Sequence, residues 1–293
     1  MIMRSFWGLC FALLLSILLL EPSHPQIETN IPVEFSLIQI RTGIQLYSNP
    51  RGDFVQVIDL NQGASIELYL GEQVGEGESA AYGGQSPLFK LQTLRQFWLE
   101  LSQTYHERAF SVCNGQFFNL KNPSQLAFPV QVNGKLITTG YAGKSEFPQE
   151  KVVLGISKNK TDILPFSEDS NFKKDSFPFA NAIVGIQEDG GTRSREWYSK
   201  DPFKERPRTF IGVADLHLIF ILTSPGKTQG NAAQLLKDFG AKKVMMLDGG
   251  GSTQLIVTGT ELVSSTDTQA RMIPQAIGVL DGRKKGGLAR FLP

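Results

Sequence analysis

Asp248 ends an apolar run, Val244 to Leu247, and is followed by three glycines and two hydroxyl residues, Ser252 and Thr253. A second apolar run, Leu255 to Val257, follows at once. Glycine loses more backbone freedom on folding than any other residue, so three in succession between buried segments need a compensating role. One such role is a backbone that passes close to a ligand and presents its N–H groups to an anion. The Asp248 carboxylate and the Ser252 and Thr253 hydroxyls would then flank that anion. Three further places set polar side chains at the ends of apolar runs: Asn114-Gly-Gln-Phe-Phe118, Arg208-Thr209 and Arg271. Two guanidinium groups suit a phosphate, because each offers paired donors in a fixed fork. The plainer reading makes Asn114 and Asp248 turn residues that satisfy nearby backbone, and makes the arginines surface charges.

The segments Asn-Gly-x-Phe-Phe, Arg-Thr-x-Ile-Gly, Leu-Asp-Gly-Gly-Gly-Ser-Thr and Arg-x-x-Pro-x-Ala-x-Gly-Val occur in that order. Together they resemble the phosphodiester glycosidase family between Ala109 and Leu280. The resemblance implies hydrolysis of a sugar-1-phosphate diester, releasing a sugar and a phosphomonoester. It implies that Arg208, Thr209, Gly249, Gly250, Gly251, Ser252, Thr253 and Arg271 hold the phosphate or the substrate around it. Asp248 would be the essential carboxylate, acting on water or stabilising the cationic sugar, and Asn114 would orient sugar or phosphate. Glycosidic cleavage ordinarily uses two carboxyl groups. Glu188, Asp189, Glu196, Asp201 and Glu205 lie in or beside one polar loop and are the candidates for the second, although a loop of mixed charge is also simply well solvated. The competing function is a non-catalytic module that binds anionic envelope glycans or sugar-phosphate polymers.

The bulk properties fit a globular chain. Of 293 residues, 41% are hydrophobic and 19% charged, so a large core can form. The 29 basic and 28 acidic residues give a formal net charge of +1. A nucleic-acid binder carries a basic excess, so nucleic acid is not an expected partner. Gly-x-x-x-x-Gly-Lys-Ser/Thr is absent and the glycines lack dinucleotide-fold spacing, which disfavours a third reading of the glycine loop as a nucleotide phosphate cradle. Arg4 precedes an uncharged, mostly apolar segment, Phe6 to Leu20, stopped by Glu21 and Pro22. That is the pattern of a secretory leader, with an uncleaved anchor as the alternative. The chain is therefore expected to be exported, periplasmic or extracellular, with membrane contact only through an uncut leader. Cys10 lies in the leader, so Cys113 stands alone in the mature chain and reads as a small buried residue. The three histidines do not cluster, His217 reads as a packed side chain within an apolar strand, and Asp248-Gly-Gly-Gly lacks alternating oxygen ligands. No metal site or cofactor is expected, and a single structural divalent ion is left open.

The elements that must position these groups are mostly strands. Asn49 to Gly52, Asn133-Gly134, Ala214-Asp215 and Thr258-Gly259 mark turns between apolar runs. Apolar spacing predicts a helix over Leu88 to Tyr105, and Thr228 caps another that runs to Phe239 before Gly240. Gly71 to Gly84, Ser167 to Phe179 and Asp189 to Pro207 read as loops. The fold class expected is α+β: mixed, largely antiparallel sheets with a few packed helices in a single domain. The divisions expected are a leader over 1–25, N-terminal strands and a helix over 26–105 belonging to the same domain, a core over 106–282 and a basic tail over 283–293.

Overall fold

Local turn chemistry sets much of the strand pattern. Asn133 and Gly134 both have positive φ, 51° and 78°, and Thr258 and Gly259 repeat the pattern at 45° and 86°. Two consecutive positive-φ residues match the right-handed twist of the strands they join. The structure is a computed structural model that describes residues 30–78, 80–143, 147, 150–166, 178–187 and 203–283. The expected leader, most of the loops after Ser167 and Asp189, and the tail beyond Arg283 lie outside the described residues.

In chain order the first strands are Ser36–Arg41 (β1), Ile44–Ser48 (β2), Phe54–Asp59 (β3), Ser65–Leu70 (β4), Gln73–Glu76 (β5), Pro87–Phe89 (β6), Ala109–Asn114 (β7), Val130–Val132 (β8) and Lys135–Thr138 (β9). The rest are Lys151–Ser157 (β10), Lys160–Pro165 (β11), Asn181–Gln187 (β12), Arg206–Ala214 (β13), Leu218–Lys227 (β14), Lys243–Met246 (β15), Leu255–Val257 (β16), Thr260–Val263 (β17) and Gln275–Leu280 (β18). The helices are Leu94–Tyr105 (α1) and Gln229–Asp238 (α2). A large sheet runs β1-β2-β3-β14-β13-β15-β12-β10-β11, with β8 and β9 joined to it at β12. A small sheet runs β17-β16-β7-β18-β4, and β5 pairs with β6. All pairings among these strands are antiparallel, consistent with the expected α+β class.

Side-chain alternation along the strands builds four layers. Met245 and Leu247 face a core between the two sheets, which they share with Cys113, Leu255 and Ile277 of the small sheet. Val244 and Met246 face the opposite core, where α2 contributes Ala232, Ala233, Leu235 and Leu236. On the far side of the small sheet, Leu94 and Phe97 of α1 pack on Val112, Ile256 and Ala276. The order is α2, large sheet, small sheet, α1. Gly212 lets α2 close on the large sheet, since a Cβ there would stand 2.6 Å from that of Ala241.

Three expectations differ from the structure. The helix expected from Leu88 begins at Leu94, because Thr93 and Gln96 form a reciprocal capping box and Pro87–Phe89 pairs as a strand with Gln73–Glu76. That pairing also puts a strand inside the expected loop from Gly71 to Gly84. His217 sits in the turn between β13 and β14, not inside a strand, with Nε2 3.9 Å from Asp59 Oδ1.

Burial pushes the Cys113 thiol from its ordinary 9.0 up to about 12. An acid whose folded pKa is raised adds stability below its unfolded value and loses it as pH climbs to the folded one. In a Cys10→Ser chain, Cys113 should therefore resist Ellman's reagent at pH 8 until the protein unfolds. Its contribution to stability should fade between pH 9 and about 12. Stoichiometric labelling of the native chain would contradict its place between the sheets.

Candidate active site

Residues Leu247 to Gln254 carry the chain from β15 of the large sheet to β16 of the small one. Crossing between sheets at this point requires a tight path, and the glycines supply it. Gly249 lies against the large sheet, where a Cβ would stand 2.9 Å from the Pro207 carbonyl oxygen. Gly250 takes φ of 62°, the left-handed region. A Cβ on Gly251 would collide with the Asp267 carboxylate. Two of the close approaches that require glycine are thus to protein atoms. Gly250 to Ser252 form a single 3-10 turn, in which Ser252 N–H donates to Gly249 O and Thr253 N–H to Gly250 O. The N–H groups of Gly250 and Gly251 donate to no partner among the described residues.

Asn114, at the end of β7 and 1% exposed, clasps this turn from behind. Its Nδ2 donates to the Asp248 carbonyl at 2.8 Å, and its Oδ1 accepts from Thr209 Oγ1 at 2.7 Å and from Gln254 N at 3.3 Å. One amide therefore joins the small sheet (Asn114), the large sheet (Thr209) and the crossover. Thr209, Ser252 and Thr253 are all buried behind the turn. Thr209 and Thr253 bring their hydroxyls to 3.5 Å, and the Ser252 hydroxyl has no partner among the described residues.

In front of the turn lies a cavity of about 620 Å³. Its wall includes Asp248, Gly249 and Gly250 from the crossover, and Glu205, Arg206, Pro207 and Arg208 from β13 and its approach. Phe117 and Phe147, Pro225, Gln229, Met246, Leu247 and Thr266 complete it. Arg208 is buried, with Nε donating to Lys227 O at 3.1 Å and an Nη to Lys204 O at 3.2 Å. Asp248 is half-buried, and its Oδ1 accepts from Gly249 N–H at 2.9 Å. The strand that carries Arg208 starts at Arg206, four residues before the apolar run that signals it.

The structure thus brings Arg208, Asp248, Gly249 and Gly250 to one wall. It sets Asn114, Thr209, Gly251, Ser252 and Thr253 behind that wall, because the turn folds over onto the Asn114 clasp. Arg271 is also off the wall: its Nε donates to Asp267 Oδ2 at 2.6 Å, and that carboxylate lies against Gly251 on the turn's other flank. Among the loop carboxylates, Glu205 lines the cavity, while Glu188, Asp189, Glu196 and Asp201 lie outside the described residues. Sequence reasoning assigned no role to Phe117, Phe147 or Gln229. The available signals were the paired Phe of the Asn114 segment and a polar residue directly after a helix cap. No group of three or more His, Cys, Asp or Glu that could hold a metal forms among the described residues. No described helix is long and apolar enough to cross a membrane.

Comparison with known proteins follows the same lines. The catalytic domain of zebrafish N-acetylglucosamine-1-phosphodiester alpha-N-acetylglucosaminidase, auto-inhibited by its pro-peptide, aligns with a TM-score of 0.58 and 18% identity, covering 89% of this chain and 85% of that one. At this identity the likeness shows a shared fold. A hypothetical protein from Synechocystis aligns at 16% identity and a TM-score of 0.48, over 84% of this chain and 61% of its own. No curated protein sequence matches. The phosphodiester glycosidase family model matches residues 107–280, more than half of the chain, and takes in both the Asn114 clasp and the glycine crossover; the chain belongs to the phosphodiester glycosidase family.

Proposed function

We propose that this chain is an exported hydrolase that cleaves the glycosidic bond of a sugar-1-phosphate diester, releasing the sugar and a phosphomonoester. The observation that carries the reading is the single cavity shared by Arg208, Asp248, Glu205 and the glycine turn. The substrate phosphate bears one negative charge. Arg208 and the Gly250 N–H are donors for its oxygens, and a buried guanidinium holds an anion more strongly than one in bulk water. With the phosphate there, the anomeric carbon comes to face Asp248.

In the reaction the C1–O bond breaks and its electron pair stays on the phosphate oxygen. Positive charge builds on the sugar, and a water oxygen bonds to C1. Asp248 stabilises that charge or takes the proton that water loses. A phosphodiester oxygen is a weak base and leaves with little protonation, so the acid that most glycosidases need is less important here. Glu205 is the second carboxylate within the cavity, placed to return a proton or to hold the water. The leader read from Arg4 and Phe6 to Leu20 supports export.

A panel of glycosyl methyl phosphates tests this reading. The wild-type chain should release free sugar, and Asp248→Asn should lower kcat by roughly 10²–10⁴-fold, the range for a positioned acid–base group. Full activity in Asp248→Asn would remove the residue from the mechanism, and binding with no turnover in the wild type would make the chain a glycan-binding module. Arg208→Lys keeps the charge but loses the fork, and KM should rise on every diester. Asn114→Ala acts through the turn: it strips partners from Thr209, Gln254 and Asp248, so denaturant unfolding should show a loss of about 1–3 kcal/mol together with a fall in kcat.

A further inference from the structure

The cavity wall holds two buried polar side chains, Arg208 and Gln229. Arg208 is held by the two main-chain carbonyls described above. Gln229 is different. It is the first residue of α2, directly after the Thr228 cap, and is 2% exposed. Its amide makes no hydrogen bond with any described residue. Neither of its polar atoms is among the sealed, unpartnered ones, such as Ser252 Oγ, and the residue lines the cavity. A buried amide with two donors and an acceptor and no protein partner takes its hydrogen bonds from whatever fills the cavity, water or a ligand.

The same wall carries two rings. Phe117 and Phe147 stack with centroids 6.5 Å apart and planes 27° from parallel. Phe128 meets both edge-on, at 5.9 Å and 6.2 Å, and fixes them from below. Rigid ring faces beside a single unpaired amide match a ligand that is apolar on one face and hydroxylated at its edge. A pyranose has that character: its axial C–H groups lie on a ring, and its equatorial substituents exchange hydrogen bonds with an amide. An alkyl chain would cover the rings and leave Gln229 unpaired.

Resting on the phosphodiester glycosidase reading, we propose that Phe117, Phe147 and Gln229 form the sugar subsite, with the rings taking a pyranose C–H face and the Gln229 amide selecting the sugar through one hydroxyl or N-acyl group. The phosphate then lies toward Arg208 and Gly250, and the anomeric carbon between the two halves, beside Asp248.

Gln229→Met keeps the length of the side chain and removes the amide. We would measure its melting temperature and its kcat/KM on the methyl phosphate diesters of α-glucose, α-mannose, α-galactose and α-N-acetylglucosamine. The expected result is a loss of roughly 10–100-fold on the best wild-type substrate and a flattened preference across the four, with the melting temperature unchanged or raised. A purely structural Gln229 would give the reverse, a lower melting temperature with the preference intact, and would overturn the proposal. Phe117→Leu should weaken all four alike; unchanged KM values would overturn the ring half. Dibutyl phosphate inhibiting as strongly as the sugar diesters would assign the rings to a lipid chain and also overturn it. If no diester turns over, the hydrolase reading fails, and the subsite is then read by saturation-transfer NMR with the four methyl glycosides. Transfer in the wild type that disappears in Gln229→Met supports the subsite, whereas no transfer, or equal transfer in both, overturns it.

Discussion

One side-chain amide holds the two sheets and the crossover in register. Asn114 accepts from the large sheet through Thr209, accepts from the crossover through Gln254 and donates to the carbonyl of Asp248. These bonds are buried, where a hydrogen bond is electrostatically stronger and an unpaired group more costly than in water. The carboxylate at position 248 therefore has little freedom: its main chain is fixed on both sides, and one of its oxygens accepts from the next N–H. A group that must meet an anomeric carbon benefits from being fixed in this way, since small misplacements are expensive in rate.

The glycines make sense in the same frame. Close approach to a ligand is one reason for a residue with no side chain, and close approach to protein is another. Gly249 and Gly251 serve the second purpose, against Pro207 and Asp267, while Gly250 supplies the left-handed bend. Asp267 also takes the Arg271 guanidinium, so this arginine braces the outer flank of the turn, and Arg208 is the buried arginine of the cavity wall. Division of labour between these two arginines follows from the strands that carry them. Arg208 lies within β13 of the large sheet, and Arg271 lies ahead of β18, in the small one.

Much of the fold was legible where the determinants are local. Asn133-Gly134, Thr258-Gly259 and the Thr228 cap act within a few residues, and the structure realises each of them. The start of α1 was legible too, but in the pair Thr93 and Gln96 and not in the apolar spacing, which runs on into Leu88 because Leu88 and Leu91 continue the three-residue step of the helix face although Leu88 belongs to β6. Layering was not legible. Whether Leu255 pairs with Cys113 or with Met246 depends on contacts 140 or so residues apart along the chain, and alternation alone does not choose. The site divided in the same way. Asp248 and Arg208 stood out by residue type, whereas Gln229 became visible only once burial and the lack of a side-chain hydrogen bond could be seen together, and the ring pair only once the fold brought Phe147 to Phe117.

The most direct measurement is a crystal structure of the Asp248→Asn chain with a bound glycosyl methyl phosphate. The account predicts phosphoryl oxygens within hydrogen-bonding distance of the Arg208 guanidinium and the Gly250 N–H, with the anomeric carbon facing residue 248. A diester bound outside this cavity, or inside it with the phosphate turned away from Arg208, would contradict it.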